Sequence, residues 1–293
     1  MRWDDFRRSD NVEDRRGMRG IPGGAGGLGI GTVLILGVVG WALGIDPRLL
    51  ITGAEILSGG GGQQTQQSGP VGAPQDQTGQ FVAAIAGDTE DRWRVIFQNA
   101  GKEYTPPRIV IFSGVTSSGC GTAQSAMGPF YCPLDRKIYL DTSFFRDLES
   151  RFQGCEGKAC QFSQAYVIAH EVGHHVQNLL GILPKAQQMQ QQMGDRAEAN
   201  QIQVRIELQA DCFAGVWANA AQKKWNFIEQ GDVEAAMQTA SAIGDDRLQK
   251  RTQGRVVPDA FTHGSSAQRV RWFTTGLKDG RVSSCDTFQA AQP

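Results

Sequence analysis

The distribution of apolar and polar side chains divides the chain into four parts. Residues 20–45 carry no charged side chain, and the nearly continuous apolar stretch within them is long enough for one membrane-spanning helix, which we predict at 27–45. Residues 46–80 contain a run rich in Gly, Gln and Pro that cannot bury enough apolar surface to fold, which indicates a linker. An N-terminal segment, 1–26, and a folded domain, 81–293, complete the predicted organisation.

The distribution of arginines predicts the orientation of the membrane span. Six arginines precede it, whereas only Arg48 follows closely. The positive-inside rule then places the N-terminus in the cytoplasm and the domain outside, held at the cell (inner) membrane by a single pass. A cleaved signal peptide is the alternative. However, the charged segment before the apolar run is long, and no A-x-A cleavage site follows it.

Within the domain, the patterns change from strand-like to helix-like along the chain. An apolar run at 108–112 predicts a strand, and 130–132 with 137–141 predicts a hairpin. Most predicted helices come later: they lie at 91–99, 144–152, 161–180, 184–224 with a break near Gly194, 232–243 and 266–277. Because the strands come first and most helices follow, we predict an α+β fold with a small antiparallel sheet.

The sequence HEVGHHVQ, which begins at His170, carries candidate metal chemistry on one of these helices. Residues four apart share a helix face, so His170 and His174 can bind one metal ion. Glu171 can act on a water at that metal as general base. The chain has only four histidines, and three lie in these eight residues, which favours chemistry over a chance polar face. His175 points about 100° away from His174, so we expect it to be structural or supporting.

A second polar pair lies in an apolar stretch of the following helix. Glu207 and Asp211 are four residues apart and therefore share a face. Two carboxylates on a buried helix are costly unless a cation compensates them. We predict that Glu207 is the third protein ligand of the metal and that Asp211 accepts a hydrogen bond from a ligand histidine. The alternatives are a solvated acidic face or a salt bridge to Arg205 or Arg269.

The cysteines indicate disulfides rather than a cysteine metal site. All six follow the predicted span and none forms a C-x-x-C pair, which is typical of disulfides in an exported domain. Six cysteines allow 15 pairings. We expect two local loops and one bond that holds the C-terminal part of the chain: Cys120–Cys132, Cys155–Cys160 and Cys212–Cys285.

Charge and composition narrow the range of partners. The chain has 29 Lys and Arg against 30 Asp and Glu, a formal net charge of −1, and no basic stripe interleaved with aromatic residues. We therefore expect no nucleic acid partner. The linker permits a homo-oligomer without requiring one.

Several motifs together resemble a known family. H-E-x-x-H followed by a helix with E-x-x-x-D is similar to the pattern of gluzincin metallopeptidases. ELQADCFAGVWA at 207–218, FTHGSSAQRVRWF at 261–273 and the Gly-rich apolar segment near the N-terminus extend the likeness. This set resembles the bacterial neutral zinc metallopeptidase family of membrane-anchored proteins over nearly the whole chain. The resemblance implies a zincin-like fold and one catalytic Zn²⁺.

The resemblance also suggests a role for the fourth histidine. In enzymes similar to CAAX prenyl proteases, a T-H-P segment with an Arg six residues later contributes a histidine that stabilises the reaction's oxyanion. His263 and Arg269 match this spacing, but Gly264 replaces the proline. The likeness therefore implies a catalytic role for His263, with Arg269 bracing it or pairing with Asp211. Without the likeness, a single loop histidine is more typical of the surface.

These observations predict a membrane-anchored zinc endopeptidase that acts on peptide or protein substrates. Metal-activated water attacks the peptide bond with Glu171 as general base, and an extended substrate pairs with a sheet edge, for which the candidate strand is Lys137–Asp141. Two alternatives are a catalytically silent, tethered binding or regulatory protein with structural zinc, and a non-peptide amide hydrolase. A structural site would normally have a fourth protein ligand and no need of Glu171.

Overall fold

The structure, a computed structural model, describes residues 1–16, 73–150, 155–253 and 255–293. The predicted membrane helix at 27–45 and most of the predicted linker lie outside these ranges. Among the helices of the described ranges, none has both the length and the apolar composition that a membrane crossing requires.

The described residues contain six strands and eight α-helices. The strands are β1 (Val12–Asp14), β2 (Arg108–Phe112), β3 (Val115–Ser118), β4 (Gly121–Gln124), β5 (Phe130–Cys132) and β6 (Lys137–Asp141). The helices are α1 (Gln77–Asn99), α2 (Ser143–Ser150), α3 (Cys160–Leu179), α4 (Ile182–Gln192), α5 (Arg196–Trp225), α6 (Asp232–Ala242), α7 (Asp245–Gln253) and α8 (Ser266–Asp279). This composition confirms the predicted α+β class.

The main sheet is mixed, so the prediction of a small antiparallel sheet is wrong. Its strand order is β1-β2-β6-β5, with parallel pairs β1/β2 and β2/β6 and one antiparallel pair, β5/β6. The predicted hairpin is the β5/β6 pair, and β3 and β4 form a separate antiparallel hairpin. Between β2 and β6 the chain forms β3, β4 and β5, and β6 then runs parallel to β2. The predicted edge strand, Lys137–Asp141, is therefore interior, and the edges are β1 and β5.

Met1–Asp14, part of the segment predicted at 1–26, belong to the same compact unit as the helices. Apolar side chains anchor this stretch, because Trp3, Phe6 and Val12 are buried in the main core. Polar contacts converge on the buried Glu90 of α1: its carboxylate accepts hydrogen bonds from Arg7 at 2.6 Å, from Asn11 at 2.9 Å and from Ser9.

Helix α1 begins before the predicted domain boundary at residue 81. Asp76 caps it by accepting a hydrogen bond from the main-chain nitrogen of Gly79 at 3.1 Å. The predicted helix at 91–99 is only its C-terminal half. Residues 81–90, which precede that part, are all buried and therefore lack the polar face that marks an amphipathic helix.

Helices α3, α5 and α8 form the helical core that positions the polar cluster. Gly173 lies in the H-E-x-x-H motif, and a Cβ atom there would come within 2.9 Å of the carbonyl oxygen of Ala210 on α5. A Cβ at Gly276 of α8 would approach the carbonyl oxygen of Cys212 to 1.9 Å. Glycine at both crossings lets the three helices approach closely, so side chains on their facing surfaces can meet in the interior.

All three expected disulfides are present. They join Cys120 to Cys132, Cys155 to Cys160, and Cys212 to Cys285. The third bond ties the chain that follows α8 to the middle of α5, next to Asp211.

Candidate metal centre

Two helices bring the three predicted metal ligands together. His170 and His174 lie on α3 and Glu207 lies on α5; His170 and Glu207 are buried, and the side chain of His174 is 12% exposed. One ligand atom from each lies within 4.8 Å of the others. The Nε2 atoms of the two histidines are 3.2 Å and 3.5 Å from the same carboxylate oxygen of Glu207. Across the described ranges, this is the one group of such side chains with geometry suited to a metal ion.

The donor set fits zinc. Two imidazole nitrogens and one carboxylate oxygen match a catalytic zinc site, in which a fourth position stays open for water. Burial by itself raises the pKa of Glu207, but the charge of His174 and hydrogen bonds with His170 and His174 outweigh it and hold that pKa well below its usual value. Glu207 is therefore an anionic ligand, as a divalent cation requires.

Glu171 differs from the other carboxylates of the cluster. It follows His170 directly, and only 7% of its surface is exposed. Asp211 and Glu207 each have hydrogen-bond partners, whereas the side chain of Glu171 makes no hydrogen bond or ion pair with any residue of the described chain. Its carboxylate oxygens are not fully buried, so a water molecule held at the metal site could donate a hydrogen bond to them.

Asp211 orients His170 and is itself held by two other side chains. Its Oδ1 atom lies 2.8 Å from Nδ1 of His170 and accepts a hydrogen bond from the hydroxyl of Tyr166 at 2.6 Å. Arg269 of α8 donates to both carboxylate oxygens, at 2.8 Å and 2.9 Å. Burial by itself raises the pKa of Asp211, but the charge of Arg269 outweighs it and holds that pKa below its usual value. Arg269 thus pairs with Asp211, which was one of its two expected roles.

Glutamines support the other two ligands. Nδ1 of His174 lies 2.9 Å from Oε1 of Gln177, one turn further along α3. On α5, Gln203 donates to Oε1 of Glu207 at 2.9 Å. Sequence reasoning missed both glutamines, as it missed Tyr166, which it counted as apolar surface. Their spacing of three or four residues from a ligand was the available signal.

His263 lies in the loop between α7 and α8, at the margin of the cluster. Asp245 holds this loop: one of its oxygens accepts hydrogen bonds from the main-chain nitrogens of Thr262, His263 and Gly264 at 2.6, 2.6 and 3.1 Å. The other lies 3.4 Å from Nδ1 of His263. Partial burial lowers the pKa of His263, but the contact with Asp245 and the nearby charge of Glu207 outweigh it and raise the pKa. Its side chain is 46% exposed, so it can meet a bound molecule.

His175 faces away from the metal ligands. Its Nε2 atom lies 2.7 Å from the carbonyl oxygen of Thr105, and its Nδ1 atom lies 3.1 Å from the hydroxyl of Tyr131 on β5. Burial lowers its pKa to about 4, so the ring is neutral at physiological pH. Because a carbonyl can only accept, Nε2 carries the proton and Nδ1 accepts from Tyr131. His175 therefore connects α3 to the sheet.

The comparisons with known proteins assign a family. Residues 1–288 match the family described as "Putative neutral zinc metallopeptidase". The chain belongs to this family. The match confirms the resemblance seen in the motifs and supports a zinc peptidase role at the level of the family.

Two relatives show how far the similarity extends. The chain is 46% identical over 298 residues to "Uncharacterized protein YpfJ" of Escherichia coli strain K12, with 98% of this chain and 99% of the relative covered. It is 43% identical over 219 residues to "Uncharacterized protein Rv2575" of Mycobacterium tuberculosis strain H37Rv, with 72% of this chain and 70% of the relative covered. No solved structure matches the chain.

Zinc binding is expected to release a proton from His170. Burial by itself lowers the pKa of His170, but the charge of Asp211 and hydrogen bonds with Asp211 and Glu207 outweigh it and raise the pKa to about 10 in the metal-free protein. At neutral pH the ring is therefore protonated, and zinc must displace that proton, so zinc affinity should rise with pH up to about 10. Calorimetric titration in buffers of different ionisation enthalpy measures the release.

The Asp211→Asn variant is the matched control for this titration. It keeps the size of the side chain but removes the charge that raises the pKa of His170, so it should release about one proton fewer per zinc at neutral pH. Equal release from the wild type and the variant would contradict the assigned role of Asp211.

Proposed function

We propose that this protein is a zinc-dependent endopeptidase that hydrolyses peptide bonds in peptide or protein substrates. The observation that carries the proposal is the group formed by His170, His174 and Glu207, together with the carboxylate of the adjoining Glu171, which has no hydrogen-bond partner among the described residues. A zinc ion held by these three residues supplies Lewis acidity that polarises the scissile carbonyl and lowers the pKa of water at the site. Membership of the zinc metallopeptidase family supports the same reading.

Glu171 carries out the proton transfers, and His263 can stabilise the charge that develops on the substrate. A carboxylate oxygen of Glu171 takes a proton from the attacking water as the new C–O bond forms. The same carboxyl group then gives that proton to the amide nitrogen as the C–N bond breaks. The raised pKa of His263 favours the doubly protonated ring, which directs Nδ1–H to Asp245 and can present the Nε2 proton to the oxygen on which negative charge develops.

The number of ligands favours catalysis over a structural metal. Structural zinc sites are usually closed by four protein ligands, whereas catalytic sites have three and keep one position for water. In the described part of the chain, the group suited to a metal has three members. A catalytically silent binding or regulatory protein would have no use for the isolated carboxylate of Glu171.

Strand β5 is the better candidate for binding an extended substrate. It is an edge of the sheet, since its one partner there is β6. The hydroxyl of Tyr131 on β5 accepts a hydrogen bond from Asn178 of α3 at 2.9 Å and contacts His175, so the edge is fixed to the helix that carries the metal ligands. A peptide that pairs with β5 would run alongside that helix.

The Glu171→Gln variant tests the mechanism. It should retain stoichiometric zinc, because Glu171 is not a ligand, and it should lose peptide hydrolysis by at least about 10²-fold, because an amide cannot take the proton. In the same assay, His263→Asn should lower kcat by roughly 10²-fold with zinc content unchanged. Hydrolysis is measured on a broad peptide library, and zinc by elemental analysis. Full activity in Glu171→Gln would refute the proposed base, and zinc without cleavage in the wild type would favour the binding role.

We also propose that the metal centre and residues 1–14 lie in one oxidising compartment outside the cytoplasm, with residues 27–45 attaching the chain to the membrane without a single crossing. Three disulfides support the oxidising location. Strand β1 supports a common compartment, because Val12–Asp14 pairs with β2 of the same sheet. A single crossing between residues 16 and 73 would separate these strands, so this proposal replaces a cytoplasmic N-terminus.

Two single-cysteine substitutions test the shared compartment. Asp10→Cys and Leu134→Cys each place a thiol at an exposed position, in the N-terminal stretch and in the turn after β5. In intact bacterial cells with a permeabilised outer membrane, a membrane-impermeant maleimide should label both variants of the full chain. Labelling of Leu134→Cys alone, with Asp10→Cys modified only after lysis, would contradict the shared compartment. Labelling of both only after lysis would contradict the location outside the cytoplasm.

A further inference from the structure

A series of hydrogen-bond contacts connects His174 to the segment that follows α8. The Nδ1 atom of His174 lies 2.9 Å from Oε1 of Gln177, whose side chain is completely buried. The amide nitrogen of Gln177 lies 2.8 Å from the carbonyl oxygen of Ile206 and 3.0 Å from Oε1 of Gln209. The amide nitrogen of Gln209 in turn lies 2.9 Å from the carbonyl oxygen of Cys285. The contacts thus join α3, α5 and the segment after α8.

Two main-chain carbonyl groups fix the direction of every hydrogen bond in this series of contacts. The carbonyl oxygens of Ile206 and Cys285 can only accept, so each must face an amide NH₂ group. Gln209 therefore turns its oxygen toward Gln177, and Gln177 turns its NH₂ group toward Gln209 and Ile206. The only group left for His174 is the oxygen of Gln177, which accepts. Nδ1 of His174 must therefore carry a proton.

We propose that Gln177 and Gln209 are positioning residues that hold His174 in the tautomer with its proton on Nδ1 and a bare Nε2 for the metal. The inference rests on the proposed zinc site. It assigns a supporting role to two residues that lie outside the H-E-x-x-H motif. A carboxylate, Asp211, accepts the hydrogen bond from Nδ1 of His170, whereas a neutral amide accepts it from Nδ1 of His174. Neutral amides fix the tautomer without adding another charge to the buried cluster.

The Cys212–Cys285 disulfide gives this chain of contacts a fixed origin. Both cysteines are fully buried, and the bond holds Cys285 against α5, the helix that carries Gln209 and Glu207. The carbonyl oxygen that orients Gln209 therefore keeps its place relative to the metal ligand on the same helix. The segment after α8 thus takes part in preparing the metal site, although it contributes no ligand.

The first test reads the tautomer directly. In the metal-free protein a carboxylate oxygen of Glu207 lies 3.5 Å from Nε2 of His174, so the reading is made in the Glu207→Ala variant, which leaves Gln177 and Gln209 in place. Nitrogen NMR of this full chain labelled in histidine, metal-free at about pH 8.5, distinguishes a protonated Nδ1 from a protonated Nε2. The proposal expects the proton of His174 on Nδ1. A proton on Nε2, or an even mixture of tautomers, would overturn it.

The second test uses variants and zinc affinity, measured by competition with a chromophoric chelator. In the Glu207→Ala background Gln177→Leu should mix the tautomers of His174, and in the wild-type background it should weaken zinc binding by about 10–100-fold. Gln209→Met should produce the same spectral change with a smaller loss, because Gln177 keeps its contact with Ile206. Gln203→Met is the matched control, since it removes a glutamine from Glu207 and should leave the tautomer of His174 unchanged.

The outcomes separate this inference from the proposed function. An unchanged tautomer and unchanged affinity in Gln177→Leu would overturn the positioning role even if the enzyme cleaves peptides. Zinc bound with the expected tautomer, but without peptide hydrolysis, would overturn the peptidase proposal and leave the positioning role intact.

Discussion

The compensation of buried charge between α3, α5 and α8 is the constraint on which the rest of the structure depends. Three carboxyl groups, those of Glu171, Glu207 and Asp211, lie in one buried region. Arg269 balances one of them through two hydrogen bonds to Asp211. A divalent cation at His170, His174 and Glu207 would balance the other two, and an isolated buried charge would be far more costly than a paired one. In the metal-free protein, a protonated His170 between Asp211 and Glu207 supplies part of that compensation.

This charge balance also explains why the helices approach so closely. Asp211 can reach His170, Tyr166 and Arg269 together only if α5 lies against both α3 and α8. Glycines at the two crossings permit that approach, and the Cys212–Cys285 bond fixes the chain beyond α8 to the same part of α5. The metal ligands are therefore rigidly placed before any metal arrives, which is the condition for an effective metal site.

The side chains at the centre of the candidate site could be grouped from the sequence because the signal is local. Spacing of four residues on a helix was enough to pair His170 with His174 and Glu207 with Asp211, and the geometry brings these four side chains together. Asp245 and Gln177 were missed because their partners are main-chain groups or rings whose positions depend on the fold. An Asp at the start of a helix reads as an ordinary first-turn acid, and a Gln on α3 reads as a surface residue.

The sheet and the N-terminal stretch were harder to predict, because strand pairing between distant segments leaves little local signal. Strand β1 has only three residues, and its partner β2 lies nearly a hundred residues later. Arginines and acidic residues dominate the surrounding sequence and hide the spaced apolar anchors Trp3, Phe6 and Val12. The same holds for β6: its apolar pattern identified a strand, but not that it is paired on both sides.

The most direct test of the account is X-ray absorption at the zinc edge, on the full chain loaded with one equivalent of zinc. We expect two imidazole nitrogens at about 2.0–2.1 Å, oxygen ligands at about 2.0–2.2 Å and no sulfur. Replacement of His174 by Ala should remove one of the two imidazole contributions. A sulfur ligand near 2.3 Å, or a site without two imidazoles, would contradict the central claim that His170, His174 and Glu207 form the metal centre.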